Sequence, residues 1–341
     1  MFNLKTLTRK NVLEMSPYSS ARSEYKGKAN VWLDANENPN ETGLNRYPDP
    51  LQMSLKKEIA ALRKVETKQI FVGNGSDEII DLLFRAFCEP NKSKVYTFPP
   101  TYGMYQVSAA INNIEIVEIA LTEKFQLPSF EEIQAEINAP GLIFICSPNN
   151  PTGNSTSMRE ISKIAKAFNG IVAIDEAYID FSERESALSL LNENPNIIIL
   201  QTFSKAFGLA GARVGMAFSN PEIIAVLNKI KPPYNVNTLS INAALEVLSE
   251  IKKIKLQINQ IKQEREIMSM QLNELDMVIK VYPSDTNFLL VKFKNEKVVF
   301  QKLLNDGVVV RNRASQINNC LRITVGTKTE NVQLIKLLKE K

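Results

Sequence analysis

Continuous apolar runs, rather than strict alternation, mark the first two thirds of this chain. Val95–Phe98, Ile114–Ile119, Leu142–Cys146, Ile171–Asp175, Ile197–Thr202 and Val214–Phe218 are short and rich in β-branched residues, the pattern of strands covered on both faces. Helical periodicity lies between or beside them at 51–64, in IIDLLFRAF after Gly73-Asn74-Gly75-Ser76-Asp77-Glu78, and at Met158–Phe168. Ser76 or Asp77 is a candidate cap for the second of these helices. Strands alternating with helices predict an α/β unit with a mostly parallel sheet covered on both faces. Past residue 240 the pattern changes. One amphipathic helical stretch runs over 240–275 without Pro or Gly. Asn287–Phe293, a helix near 296–305, Val308–Arg311, Leu321–Val325 and a final helix then predict a smaller α+β unit. Residues 1–30 read as a mixed polar arm, and 31–50, rich in Asn and Pro, as an irregular loop.

Length and composition narrow the function classes. A chain of 341 residues, 44% hydrophobic and 23% charged, is long enough for two domains or one large α/β unit. The net charge of +4 is dispersed, which argues against nucleic acid as the partner. No apolar run approaches the roughly 18 residues of a membrane span. The opening MFNLKTLTRKNVLEM lacks an apolar core and carries an acidic residue, so a secretion signal is not expected. These features predict a cytoplasmic protein. Cys88, Cys146 and Cys320 are far apart and odd in number, which fits neither a disulfide framework nor a zinc cluster. There is no histidine. A Ser-His-Asp triad, a Cys-His pair and a His-ligated metal are therefore excluded within this chain, and proton transfer near neutral pH falls to Lys, Tyr, Cys, a carboxylate or water.

Against that background the block FSKAFGLAGARVG (203–215) stands out. Lys205 follows a strand run, with Ser204 before it and Arg213 eight residues on. An amine beside a hydroxyl and a guanidinium is what a pyridoxal 5'-phosphate enzyme requires, one group for the aldehyde and the others for the phosphate. Asp175 ends its strand, where a carboxylate is costly to bury unless paired. It is either a cap or solvent-facing strand end, or the partner of a protonated pyridine nitrogen. Tyr178 either packs in the core or reaches the ring hydroxyl. Gly75-Ser76-Asp77 at a helix start offers free N–H groups and a positive dipole end to an anion, or is simply a capped helix. It is neither a Walker A loop nor a dinucleotide fingerprint, whose third glycine is here Glu78; that counts against a nicotinamide dehydrogenase. Tyr102 in PPTYGMY is a surface turn residue or a stacking platform, and Asn150 in SPNNPTG a turn residue or an amide donor. In α/β sheets ligands bind at the C-terminal strand ends, and Asn150, Asp175, Ser204 and Lys205 all fall there.

The order GNGSDE, PPTYGMY, SPNNPTG, DEAY, FSKAFGLAGARVG, CLRITVGT resembles the fold-type I pyridoxal 5'-phosphate-dependent aminotransferases. More narrowly, SPYSSAR, WLDANENP, RYPDP and VVVRNR resemble the histidinol-phosphate aminotransferase family. The resemblance implies a large domain with a mostly parallel seven-stranded sheet covered by helices (42–240), and an N-terminal arm with a small α+β domain (1–41 and 241–341). It implies that Lys205 carries the cofactor and shuttles the proton, and that Asp175 pairs with the pyridine nitrogen. Tyr178 and Asn150 would hold the ring hydroxyl oxygen, and Tyr102 would stack on the ring. Ser76, Asp77, Ser204 and Arg213 would surround the phosphate with the Gly75 backbone, joined by Tyr47 from the neighbouring subunit of a homodimer. Arg322 would bind the substrate carboxylate, and Tyr18 and Arg311 the substrate phosphate. The implied reaction is transamination between histidinol phosphate and 2-oxoglutarate in histidine biosynthesis. The alternatives are an aromatic aminotransferase, for which a phosphate grip is needless, and a pyridoxal-phosphate-dependent decarboxylase of a phosphorylated amino acid.

Overall fold

The computed structural model describes residues 3–19, 21–25, 27 and 29–340. Of the SPYSSAR segment, Ser20 lies outside the described residues. Seven strands form the large sheet: β1 (Ile70–Asn74), β2 (Lys94–Thr97), β3 (Glu115–Glu118), β4 (Gly141–Cys146), β5 (Ile171–Asp175), β6 (Ile197–Thr202) and β7 (Val214–Ser219). Their order is β1-β7-β6-β5-β4-β2-β3. Every neighbouring pair is parallel except those of β7, which runs antiparallel to both β1 and β6. The mostly parallel seven-stranded sheet is as the sequence implied.

Side chains alternate across this sheet with period two, and both faces are buried. Ile143, Ile145, Val172, Ile174, Ile197 and Ile199 face one layer, where Leu55 and Ile59 of the Met53–Arg63 helix and Ile161 and Ile164 of the Met158–Ala167 helix cover them. Leu142, Phe144, Ile171, Ala173, Ile198 and Leu200 face the other. That layer is covered by the Gly75–Phe87, Met104–Ile111 and Pro221–Ile230 helices. The Met158–Ala167 helix starts on a reciprocal cap in which Ser157 and Glu160 satisfy each other's backbone N–H groups.

The expected helix over 240–275 is two helices, Thr238–Ser249 and Ile251–Asn273, joined at Glu250. The second spans two cores. Ile254 and Ile258 pack under the large sheet, and Met268 and Leu272 under the small one. The small sheet comprises β8 (Val278–Val281), β9 (Phe288–Phe293), β10 (Arg311–Asn312) and β11 (Cys320–Thr324), antiparallel in the order β10-β11-β9-β8. The Glu296–Asn305 and Lys328–Lys339 helices complete its core. The polar N-terminal arm carries three short helices, Leu4–Leu7, Lys10–Glu14 and Ala21–Glu24, and residues 31–50 are without helix or strand, as read from sequence.

Candidate active site

A cavity of about 410 Å³ opens at the C-terminal ends of the parallel strands. Because β7 alone is reversed, its N-terminal end lies at this same edge. Arg213, the residue before β7, therefore meets Ser76 and Asp77 after β1, Asp175 at the end of β5, and Ser204 and Lys205 after β6. Tyr102, Asn150 and Tyr178 complete one wall, and Arg311 and Arg322 from the small sheet close the other. The cavity is thus built between the two sheets.

Asp175 is 3% exposed. Its Oδ2 accepts the Tyr105 hydroxyl at 2.6 Å and its Oδ1 the Ala177 N–H at 3.1 Å. Burial pushes the Asp175 carboxyl up, and the Tyr105 hydroxyl and Ala177 N–H pull against that push. A buried carboxylate on a cavity floor with only neutral donors is a receptor for a cationic N–H. Lys205 Nζ lies 5.7 Å from the centroid of the Tyr178 ring. Burial and the Arg322 charge lower its ammonium, while Asp175 and Asp77 oppose them. The loop that presents Lys205 is held by Gly208 N–H to Lys205 O at 3.1 Å and Leu209 N–H to Phe203 O at 3.0 Å.

The Gly75–Phe87 helix begins at Gly75, and its cap residue is Asn74, with no side-chain capping bond. Ser76 and Asp77 are therefore not the cap that their positions suggested; they are first-turn residues. Instead Glu78 Oε2 accepts the Asn74 N–H at 2.5 Å. The Asp77 carboxylate takes the Tyr102 hydroxyl at 3.0 Å and Arg213 Nη2 at 3.3 Å. Its side chain thus orients two neighbours, and the helix N-terminus offers its backbone N–H groups to an anion. A Cβ on Gly215 would sit 2.3 Å from Ser76 N, so only glycine lets β7 come this close to the helix start. Arg213 adopts a left-handed backbone, φ 54°, an uncommon state for a non-glycine residue and one that recurs at ligand sites.

Arg322 Nη1 donates to Asn150 Oδ1, which leaves the Asn150 amide N–H groups for another acceptor. Tyr178 stands edge-on to Phe288 at 5.2 Å, and the Arg322 guanidinium lies 5.1 Å from the same ring. Three sequence-predicted residues do not line the cavity, and one of them, Gly75, sits at the helix start directly before Ser76, which does. Tyr18 is 69% exposed, and Tyr47, 50% exposed, stacks on Tyr234 at 4.4 Å. Five residues that do line or support it were not assigned to the site from sequence: Tyr105, Cys146, Ala177, Thr202 and Arg313. Tyr105 reads locally as an apolar helix position. Arg313, two residues beyond Arg311 in VVVRNR, carried a readable signal: two arginines on one side of a strand.

A lysine, a buried carboxylate and an anion cradle at the strand ends of this sheet define a fold-type I transferase site, and the chain belongs to the class I and II aminotransferase family, whose model matches residues 20–338. Within that family it is 53% identical to the histidinol-phosphate aminotransferase of Christiangramia forsetii, over 99% of this chain and 98% of that one. Among solved structures, the histidinol-phosphate aminotransferase of Clostridium acetobutylicum superposes with a TM-score of 0.80 at 26% identity, over 87% of this chain and 90% of that one. The fold is shared by the histidinol-phosphate aminotransferase of Sinorhizobium meliloti in complex with pyridoxal-5'-phosphate, with a TM-score of 0.78 at 24% identity over 86% and 83% of the chains.

Proposed function

We propose that this chain catalyses pyridoxal 5'-phosphate-dependent transamination between L-histidinol phosphate and 2-oxoglutarate, a step of histidine biosynthesis that runs from imidazole acetol phosphate and glutamate in the biosynthetic direction. The observation that carries this reading is the gathering of Lys205, buried Asp175, the Gly75–Phe87 helix start with Arg213, and the small-sheet arginines around one cavity. Relatives at about half identity over the full chain bear the same activity in their names.

The donor set fits the cofactor. An amine, a buried carboxylate, and N–H groups with a guanidinium match an aldehyde, a pyridine nitrogen and a phosphate respectively. The bound cofactor supplies an electron sink for the pair left when the proton departs from the amine-bearing carbon. Lys205 Nζ is the group placed to take that proton and return it, and burial with the Arg322 charge lowers its affinity for a proton, which favours the free amine a base needs. Asp175 would hold the proton on the ring nitrogen, Tyr178 and the Asn150 amide would hold the ring hydroxyl oxygen, and Tyr102 would pack on the cofactor. Ser76, Ser204, Arg213 and the Gly75 and Asp77 backbone hold the phosphate; each charge-assisted bond contributes about 1.5–3 kcal/mol. Arg322 and Arg311 grip the far end of the substrate; Tyr18, implied by the family resemblance, stands outside the cavity.

A second copy of this chain is the partner. Val31 (71% exposed), Leu33 (91%) and Leu239 (63%) are large apolar residues facing outward around the Tyr47 segment, and Tyr47 would reach the phosphate of the neighbouring subunit. The unit 42–240 binds the cofactor, and 1–41 with 241–341 forms the arm and small domain. The protein works in the cytoplasm; among the described residues no helix is long and apolar enough to cross a membrane.

The test is a panel with the purified protein: histidinol phosphate, phenylalanine, tyrosine and threonine phosphate, each with 2-oxoglutarate. Preferred turnover of histidinol phosphate is expected. Preference for phenylalanine, or carbon dioxide released from threonine phosphate, would overturn the assignment. Lys205→Ala is expected to lose both turnover and the visible absorbance of lysine-linked cofactor; normal transamination by that variant would place the chemistry elsewhere.

A further inference from the structure

The antiparallel pair β10–β11 sets Arg311 directly opposite Arg322. Like charges facing each other across a strand pair cost stability. The ladder continues one step beyond, where the Arg313 N–H donates to Cys320 O at 3.0 Å. Arg313 therefore follows Arg311 at the two-residue strand spacing and turns to the same face. All three arginines line the cavity that holds Lys205. Arg322 is tied to Asn150, and Arg313 Nη1 to Gln316 Oε1 at 3.3 Å. Arg313 Nε and Arg322 Nε are buried and have no hydrogen-bond partner, and none of the three arginines has a carboxylate partner among the described residues.

Three cations without a counter-ion repel one another, and a bound anion relieves that repulsion in proportion to its charge. Burial and the Arg322 and Arg311 charges hold the Arg313 guanidinium down at about 10, in line with this crowding. A phosphate monoester carries close to two negative charges near neutral pH and three acceptor oxygens, whereas a carboxylate carries one charge and two. Two arginines saturate a carboxylate; a third has an acceptor only on a phosphate.

We propose that Arg313 is a specificity-determining residue, the third arm of a receptor with Arg311 and Arg322 that favours a phosphate dianion over a carboxylate at the far end of the substrate. This deepens the proposed function and rests on it for the identity of the phosphorylated substrate.

The experiment compares wild type, Arg313→Gln and Arg313→Lys as cofactor-loaded enzymes, each checked for an unchanged melting temperature. The half-reactions with histidinol phosphate and with glutamate are measured separately. In Arg313→Gln, KM for histidinol phosphate should rise about 10- to 100-fold with kcat within a few-fold, and KM for glutamate should change less than about 3-fold. Arg313→Lys should recover part of the loss. Inorganic phosphate, titrated calorimetrically into loaded enzyme, should bind Arg313→Gln at least about 10-fold more weakly than wild type. Equal losses for the two substrates, or unchanged phosphate binding, would overturn the proposal. If wild type fails to turn over histidinol phosphate, the assigned reaction falls, and the phosphate titration alone decides on Arg313.

Discussion

Two buried residues next to Asp175 show how much of this site rests on groups that do not line the cavity. Tyr105 is fully buried, stacked on Phe144 at 4.5 Å, and gives its only hydroxyl proton to Asp175. Tyr105→Phe keeps the stack and removes the donor. It should cost about 1–3 kcal/mol of stability, the penalty for a buried acceptor left unmet. It should also weaken the hold of Asp175 on a ring nitrogen, read as a several-fold rise in the dissociation constant for pyridoxal 5'-phosphate by fluorescence titration. Unchanged cofactor affinity would make Tyr105 a packing residue only. Glu176, next in sequence, points away from the cavity into a network with Ser186, the Ala187 N–H and Gln201. Burial pushes its carboxyl up from 4.5 to about 7. The folded state thus binds a proton more tightly than the unfolded chain does. This contribution to stability is complete below about pH 4.5 and is lost as the pH rises through about 7. Urea unfolding of Glu176→Gln should lack that downward slope, while wild type shows it.

Among the elements, close approach matters as much as chemistry. Gly215 pairs with Gly73 across β7 and β1, and the helix start packs over them. Gly215→Ala would drive a Cβ into the Ser76 backbone, where no flexible side chain can yield. It should destabilise the fold by about 1–3 kcal/mol and loosen the anion cradle, seen as a lower melting temperature together with weaker cofactor binding; a lowered melting temperature with cofactor affinity intact would separate the two. The legibility of the elements follows the same physics. β5 and β6 could be read to the residue because unbroken apolar runs end in polar residues. β1 was not read as a strand, because only Ile70, Phe71 and Val72 are apolar and the chain passes into a helix with no loop between. The break at Glu250 has no Gly or Pro to announce it. Lys205, Asp175 and Arg213 were legible because each is a costly residue at a strand end or beside a glycine. Tyr105 was not, because a helix tyrosine acquires meaning only through what tertiary folding places opposite it; the signal of Arg313, its two-residue spacing from Arg311, gains its weight the same way, once Arg322 lies opposite.

At the scale of the whole molecule, the cavity needs both sheets, and the Ile251–Asn273 helix that joins them has one end in each core. The placement of the small domain therefore sets the shape of the cavity, because Arg311 and Arg322 line it from β10 and β11. The assembly is tested by charging the outward apolar face. Leu33→Asp should shift a dimer toward monomers in sedimentation at micromolar concentration, and an unshifted boundary would exclude Leu33 from the contact. The reversed strand has a consequence in time as well as in space. β1 is an edge strand whose sole sheet neighbour is β7, so Asn74 waits for Val214. During synthesis, Ile70–Asn74 leaves the ribosome with its backbone unpaired until the chain has grown through β6 and the lysine loop. The closing of such distant contacts is the slow part of folding. Within the large sheet the anion cradle is thus the last feature to close, and a nascent chain too short to contain β7 has no complete place to hold its cofactor.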